Sequence, residues 1–244
     1  VAFLLPTAYC LLPTRLVWAV SAGAKVWFPE DLSSIGSQVD GMFVVILWIT
    51  GIIFLLVEGA LLWFLIRYRH QAHPRAAYVH GHRTAEIIWT VVPAIIVTAI
   101  AFASQHVWAH IRGEPPPHRL EVEITAEQFA WNVRYAGPDG LLHTDDDLET
   151  INPLHLPVDQ VVLIHLKSKD VIHSFFVPQF RTKLDAVPGL TGRLWVQPIK
   201  TGQVEMVCAE LCGLGHYRMR GYVTIESPEA FEAWLQQTRA EQSL

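Results

Sequence analysis

Hydrophobic positions along this chain follow two regimes. Gly41 to Ile66 is an apolar run of 26 residues whose only charge is Glu58, and Ile87 to Val107 is a second of 21, with Pro93 near its start. Each is long enough to cross a hydrocarbon core of about 30 Å with some tilt. A proline is tolerated in such a helix when neighbouring groups satisfy the freed carbonyl. The pattern predicts a transmembrane helical hairpin over 41–110. After Pro115-Pro116-Pro117 the period changes to two: Leu120, Val122 and Ile124 alternate with Glu121, Glu123 and Thr125, as in a half-buried strand. Val161–Leu166, Leu194–Gln197, Val204–Val207 and Tyr222–Ile225 are further strand candidates. Turn signals separate them at Gly137-Pro138-Asp139-Gly140, Asn152-Pro153, Pro188-Gly189 and Lys200-Thr201-Gly202. Short strands at this spacing predict an all-β Greek-key sandwich or barrel over 114–226. Ser227-Pro228-Glu229 then supplies an N-cap, a proline at the first helical position and an early acid. Phe231, Trp234 and Leu235 make the apolar stripe of a short C-terminal helix within 227–244.

The loop between the apolar runs, 67–86, carries four arginines and four histidines from Arg67 to Arg83 and no acid before Glu86. The positive-inside rule places this loop in the cytoplasm and the C-terminal domain outside, which in a bacterium is the periplasmic face of the plasma membrane. Residues 1–40 then lie outside as well. Val1 to Trp27 is apolar but interrupted by Pro6, Pro13, Arg15 and Lys25, and Ala22-Gly23-Ala24 resembles a signal-peptidase site. A third spanning helix, an interfacial helix and an uncleaved signal all remain open for this segment. Tyr9-Cys10 is a poor lipoprotein box. Glu58, an acid inside a membrane span, is expected to face protein rather than lipid. Glu86 opens the second helix, where spacing alone reads it as an acid stabilising a helix N-terminus.

The chain is 51% hydrophobic, and the excess lies before residue 110. From Glu114 onward there are 18 acids and 11 bases. This balance argues against nucleic acid as a partner; it suits a basic partner, or simply keeps the domain soluble. Three cysteines are the wrong number for a disulfide framework. Cys10 lies in the N-terminal stretch, and the close pair Cys208 and Cys212 suggests metal or redox chemistry.

That pair belongs to the most informative stretch, Cys208-Ala209-Glu210-Leu211-Cys212-Gly213-Leu214-Gly215-His216-Tyr217-Arg218-Met219. Two thiols, an imidazole and a thioether within twelve residues favour copper or zinc, and Met219 is a poor zinc ligand. A mononuclear blue copper site uses one cysteine, so a second thiolate points to two bridged coppers. Each copper needs its own histidine. His216 serves one, and His173 is the best candidate for the other among His118, His143, His155, His165 and itself.

With these residues assembled, the chain closely resembles subunit II of the haem–copper cytochrome c oxidases over roughly residues 36–235. That family's signature, Cys-x-Glu-x-Cys-x3-His-x2-Met, stands complete as Cys208, Glu210, Cys212, His216 and Met219. The resemblance implies a transmembrane hairpin followed by a cupredoxin-like domain with a dinuclear copper A centre. Cys208 and Cys212 would bridge the coppers. His173 and His216 would bind one each, with Met219 and the Glu210 backbone carbonyl as axial ligands. It also implies a magnesium ion shared by the Glu210 side chain and subunit I. Thr84 to Pro93 resembles the family's second-helix opening, which makes Glu86 the expected mouth of a proton channel. Gln128-Phe129-Ala130-Trp131 resembles an aromatic motif over the copper centre; Phe129 stands where a tryptophan receives electrons in well-known members, and Trp131 is the other candidate.

The implied function is acceptance of electrons from cytochrome c, or a cytochrome c domain, and their passage to haems in subunit I, where oxygen is reduced with proton pumping. The implied partners are subunits I and III, possible supercomplex neighbours and the membrane. Asp145, Asp146, Asp147, Glu127 and Asp185 are candidate steering acids for a basic cytochrome. No Cys-x-x-Cys-His occurs, so no c-type haem is expected on the given sequence. Two other functions compete: a membrane-anchored copper carrier, which needs exchangeable ligands, and a quinol-oxidase subunit with a metal-free domain, which the complete ligand set opposes.

Overall fold

The computed structural model describes residues 28–70, 78 and 80–242. The expected N-terminal alternatives for 1–27, including Cys10, lie outside the described residues. Two long helices, α1 (Gly36–Arg67) and α2 (Arg83–Arg112), precede ten strands and a last helix, α3 (Pro228–Gln242). Both long helices have the length and composition of membrane spans. Both extend past the apolar runs into polar flanks, because arginines and histidines are compatible with helix wherever the backbone can still bond. Pro93 lies inside α2, where it has no N–H for the Trp89 carbonyl.

The second unit, which includes residues 28–39 and everything from His110 onward, is a two-sheet β-domain. The strands are β1 (Leu120–Glu127), β2 (Ala130–Tyr135), β3 (Leu148–Ile151), β4 (Pro153–Pro157), β5 (Val162–Ser168), β6 (His173–Val177), β7 (Thr182–Ala186), β8 (Gly192–Val196), β9 (Gly202–Cys208) and β10 (Arg220–Glu226). One sheet runs β3-β2-β1-β5-β8 and the other β4-β10-β9-β6-β7. Parallel pairs β1–β5 and β4–β10 among otherwise antiparallel neighbours require long crossovers between the sheets, the Greek-key pattern. Val122, Ile124, Trp131, Ile164, Phe175 and Met206 are all fully buried in the core between the sheets.

Alternation in β1 has one exception. Glu123 is only 6% exposed, yet it is a carboxylate. His143 Nε2 at 2.9 Å and Lys167 Nζ at 2.6 Å cover it, so its charge is compensated. Residues ahead of α1 also join the β-domain: the Leu32 amide donates to the Gln179 carbonyl and the Ser34 amide to the Gln197 carbonyl, both at 3.0 Å. Leu32 and Ile35 are buried there.

The start of α3 follows its sequence signal, for the Ser227 hydroxyl accepts the Ala230 amide at 3.2 Å. Phe231 and Leu235 are buried, with Trp234 beside them. Trp234 stacks on His155 at 3.9 Å and meets the Tyr135 ring edge-on at 5.3 Å. Burial pushes the Tyr135 phenol far up, and the phenol stays protonated while accepting the His155 amide at 2.6 Å.

Candidate metal centre

β9 and β10 are an antiparallel pair, and the segment between them turns back at one end of the sandwich. Cys208 closes β9, and its amide donates to the Met219 carbonyl at 3.1 Å, pinching the loop shut. Within that loop, His216–Arg218 forms a single 3-10 turn, and Met219 leads into β10. Gly213 has φ +134°, which a residue with a side chain rarely adopts. The neighbouring strand β6 brings His173 beside the thiols: the Ala209 amide donates to the Ser174 carbonyl at 2.9 Å.

The sulfur atoms of Cys208 and Cys212 are free thiols 3.8 Å apart, both buried. His173 Nδ1 lies 3.9 Å from Cys208 Sγ, and His216 Nδ1 lies 3.6 Å from Cys212 Sγ. The Met219 thioether is 3.7 Å from Cys212 Sγ, and the Glu210 carbonyl oxygen accepts Cys208 Sγ at 3.1 Å. Ligand atoms of His173, Cys208 and Cys212 all fall within 4.8 Å of one another. Each sulfur thus has an imidazole beside it, with a carbonyl near one and a thioether near the other. Burial, and then the neighbouring Cys208 thiol, push the Cys212 thiol up to about 11. Without a cation the Cys212 thiol holds its proton; a soft metal displaces it. Two buried sulfurs flanked by imidazole, thioether and carbonyl donors fit copper rather than a hard cation.

The structure brings His173 to the thiols and leaves the other four histidines elsewhere. His118 and His165 contact Glu121, His143 contacts Glu123, and His155 lies beside Glu226. His173 is wholly buried, with its Nε2 bonded to Asp170 at 2.8 Å. Burial pushes the Asp170 carboxyl up, but bonds from His173, the Gln128 amide and the Val171 amide outweigh it and hold the group below its usual range. An Asp-x-x-His spacing is the sequence signal for this partner, and sequence reasoning missed its role.

The aromatic motif divides in two. Trp131 has no exposed surface and meets His173 and Phe175 edge-on, at 6.3 Å and 5.8 Å. It therefore cannot touch a docked donor. Phe129 is half-buried and lies across the copper loop: a Cβ on Gly215 would fall 2.5 Å from its ring. Around it the loop exposes Leu211, Leu214 and Tyr217, with Leu214 96% exposed. The Glu210 side chain is also exposed.

Several steering acids are already engaged. Asp147 pairs with Arg134 at 3.1 Å, Glu127 with Lys169 at 2.6 Å and Asp185 with Lys183 at 2.7 Å. Asp145 and Asp146 remain exposed. Glu86 sits in the first turn of α2, exposed, where the His82 ring accepts the Ala85 amide at 3.2 Å.

Two family models match this chain: the cytochrome c oxidase subunit II transmembrane domain over residues 21–107, and the periplasmic domain of the same subunit over 127–227. The alternative cytochrome c oxidase subunit 2 of Bradyrhizobium diazoefficiens is 33% identical, covering 87% of this chain and 84% of that protein. This chain belongs to the cytochrome c oxidase subunit II family. The cytochrome c oxidase subunit 2 of Thermostichus vulcanus is similar too, 30% identical over 92% of this chain and 86% of its own. Among solved structures, the periplasmic domain of subunit II of cytochrome oxidase from Bradyrhizobium japonicum is 26% identical. It covers 52% of this chain and 99% of that one, with a TM-score of 0.47. Membership makes this a haem–copper oxidase subunit II with a copper A-type cupredoxin-like domain, serving electron transport in a respiratory chain. The two long apolar helices and the matched transmembrane and periplasmic domains make it a membrane protein with its β-domain on the outer side.

Proposed function

We propose that this chain accepts electrons from a c-type cytochrome at a dinuclear copper centre and passes them to the haems of subunit I, where oxygen is reduced with proton pumping. One observation carries the reading: two unlinked buried thiols 3.8 Å apart, each with its own imidazole beside it. Cys208, Cys212, His173, His216, Met219 and the Glu210 carbonyl would together hold two coppers. Bound copper supplies one-electron chemistry shared over two ions.

The chain's own residues do the rest. Buried ligands exclude water, and a loop closed by the Cys208 amide–Met219 carbonyl bond holds its shape through a change of charge. Such ligands also do not exchange freely, which disfavours a copper carrier. The donor docks on the apolar rim of Leu211, Leu214 and Tyr217, beside Phe129, with Asp145 and Asp146 available for steering. Electrons then come in at the Phe129 side of the loop. Trp131 packs behind His173.

The exposed Glu210 side chain would hold magnesium together with subunit I, and Glu86 would mark the mouth of the proton channel. Subunit III, and a supercomplex neighbour holding the donor haem, complete the proposed assembly in a bacterial plasma membrane. Transmembrane residues 41–110, the copper domain 114–226 and the helix within 227–244 are the proposed functional divisions, with 67–86 in the cytoplasm. The test is purification of the assembled complex through an affinity tag on this chain. Haem, copper and oxygen consumption driven by reduced cytochrome c are expected together. Oxygen consumption driven by quinol alone, in a complex lacking copper in this chain, contradicts the reading.

A further inference from the structure

Gln128 reaches two segments at once. Its side-chain amide donates to the Cys212 carbonyl at 2.5 Å, and its backbone N–H donates to Asp170 Oδ2 at 2.7 Å. The other oxygen of that carboxylate accepts His173 Nε2 at 2.8 Å and the Val171 amide at 2.6 Å. One residue thus connects the loop carrying Cys212 with the segment carrying His173. Phe129 follows directly in the chain and lies against Gly213 and Gly215 of the same loop.

The loop is shaped to receive this connection. A Cβ on Gly213 would stand 2.6 Å from Gln128 Nε2, and one on Gly215 would stand 2.5 Å from the Phe129 ring. Glycine at both positions leaves the room that Gln128 and Phe129 occupy against the loop. The contacts also have a chemical consequence. A carboxylate only accepts, so Asp170 holds the imidazole proton at Nε2 and leaves the lone pair of a neutral ring at Nδ1, on the Cys208 side. The Cys212 carbonyl, fixed by Gln128, in turn orients the loop between the two sulfurs.

We propose that Gln128 and Asp170 are paired positioning residues: a clamp that holds the donor-facing Phe129 against the copper loop while aiming His173 Nδ1 at the copper site. The clamp rests on the dinuclear copper reading above. Its effect is that the surface meeting the donor and the ligands on both sulfurs move as one body, so a docked donor meets a site of fixed geometry. A turn that merely packs on the surface would not pass a change at Asp170 on to the Cys212 loop.

The test uses the full chain in detergent, metal-free and reduced or loaded with copper, as wild type, Asp170→Asn and Gln128→Leu. Asparagine keeps the size of Asp170, but a neutral amide cannot accept all three N–H groups. Asp170→Asn is expected to speed amide exchange about tenfold in residues 126–131 and 209–218 together, and to shift the copper optical bands and reduction potential. Gln128→Leu is expected to loosen the same two segments while moving the copper bands less, because His173 keeps Asp170. Unchanged exchange at 209–218 in both variants overturns the clamp, as does an unchanged copper spectrum and potential in Asp170→Asn. Exchange in the metal-free chain reads the clamp on its own. A wild type that gives no dinuclear signal therefore counts against the copper reading and leaves the clamp to be decided by the exchange data.

Discussion

Cys208 and Cys212 face each other across 3.8 Å as free, buried thiols, too far apart to be bonded and close enough to share metal ions. Every other candidate ligand meets one sulfur or the other, so the pair is the centre of the arrangement. Cys212→Ser is expected to abolish the dinuclear copper spectrum, because it removes a bridge. Met219→Leu is expected to keep a dinuclear spectrum with a shifted reduction potential, since a thioether at the edge of the site tunes rather than holds. Copper content and optical spectra of the two variants check both outcomes.

The exposed apolar side chains of the copper loop should matter to the donor and not to the metal. Leu214→Asp and Tyr217→Ala are expected to slow reduction of the centre by reduced cytochrome c by about fivefold or more. Their copper spectra should match the wild type. Stopped-flow reduction measures this; equal rates in all three proteins would move the docking face elsewhere.

Trp131 gives the contrasting case. Being fully buried against His173 and Phe175, it should respond to substitution through packing alone. Trp131→Phe is expected to lower stability by about 1–3 kcal/mol and to leave the donor's second-order rate constant within about twofold of wild type, since docking does not involve it. Denaturant unfolding and stopped-flow kinetics separate the two effects.

Asp147 offers a test in the β-domain away from copper. Its side chain is 3% exposed and bonds the Arg134 guanidinium at 3.1 Å and the His143 amide at 2.7 Å. Burial pushes the carboxyl up, yet these bonds and that of Thr144 hold it below its usual range. A group lowered on folding contributes stability that is complete above its unfolded value near 3.9 and is lost as pH falls through the folded one. Asp147→Asn is expected to cost about 1–3 kcal/mol at neutral pH, and the gap to wild type should close in acid. Unfolding curves across that range check the sign.

In the assembled oxidase, Glu86→Ala is expected to slow proton uptake while leaving the copper spectrum intact. Uptake at the wild-type rate would return Glu86 to its role as an acid at the start of α2.

Much of this architecture was legible because burial writes itself into periodicity. The two apolar runs mark α1 and α2, and the alternation from Leu120 to Thr125 marks β1. Ser227 marks the start of α3 through its side-chain cap. β2 alternates as clearly, with Trp131, Val133 and Tyr135 inward, yet its aromatic residues read first as a motif. β4 and β7 carry prolines or charges that weaken the signal, and pairing along β10 and β6 makes them strands. The metal cluster was legible from one loop because its four side-chain donors lie within twelve residues. His173 was harder, since 35 residues separate it from Cys208 and only the β6–β9 pairing brings them together. Gln128 was hardest: its bonds reach Asp170 and Cys212 far along the chain and leave no local pattern, whereas Asp170 lies three residues before the histidine it holds.

The most direct measurement is electron paramagnetic resonance of the copper-loaded full chain at one-electron oxidation, alongside its copper content. The account predicts two coppers per chain and a hyperfine pattern from one unpaired electron shared by both. A single copper per chain with a mononuclear pattern would contradict it.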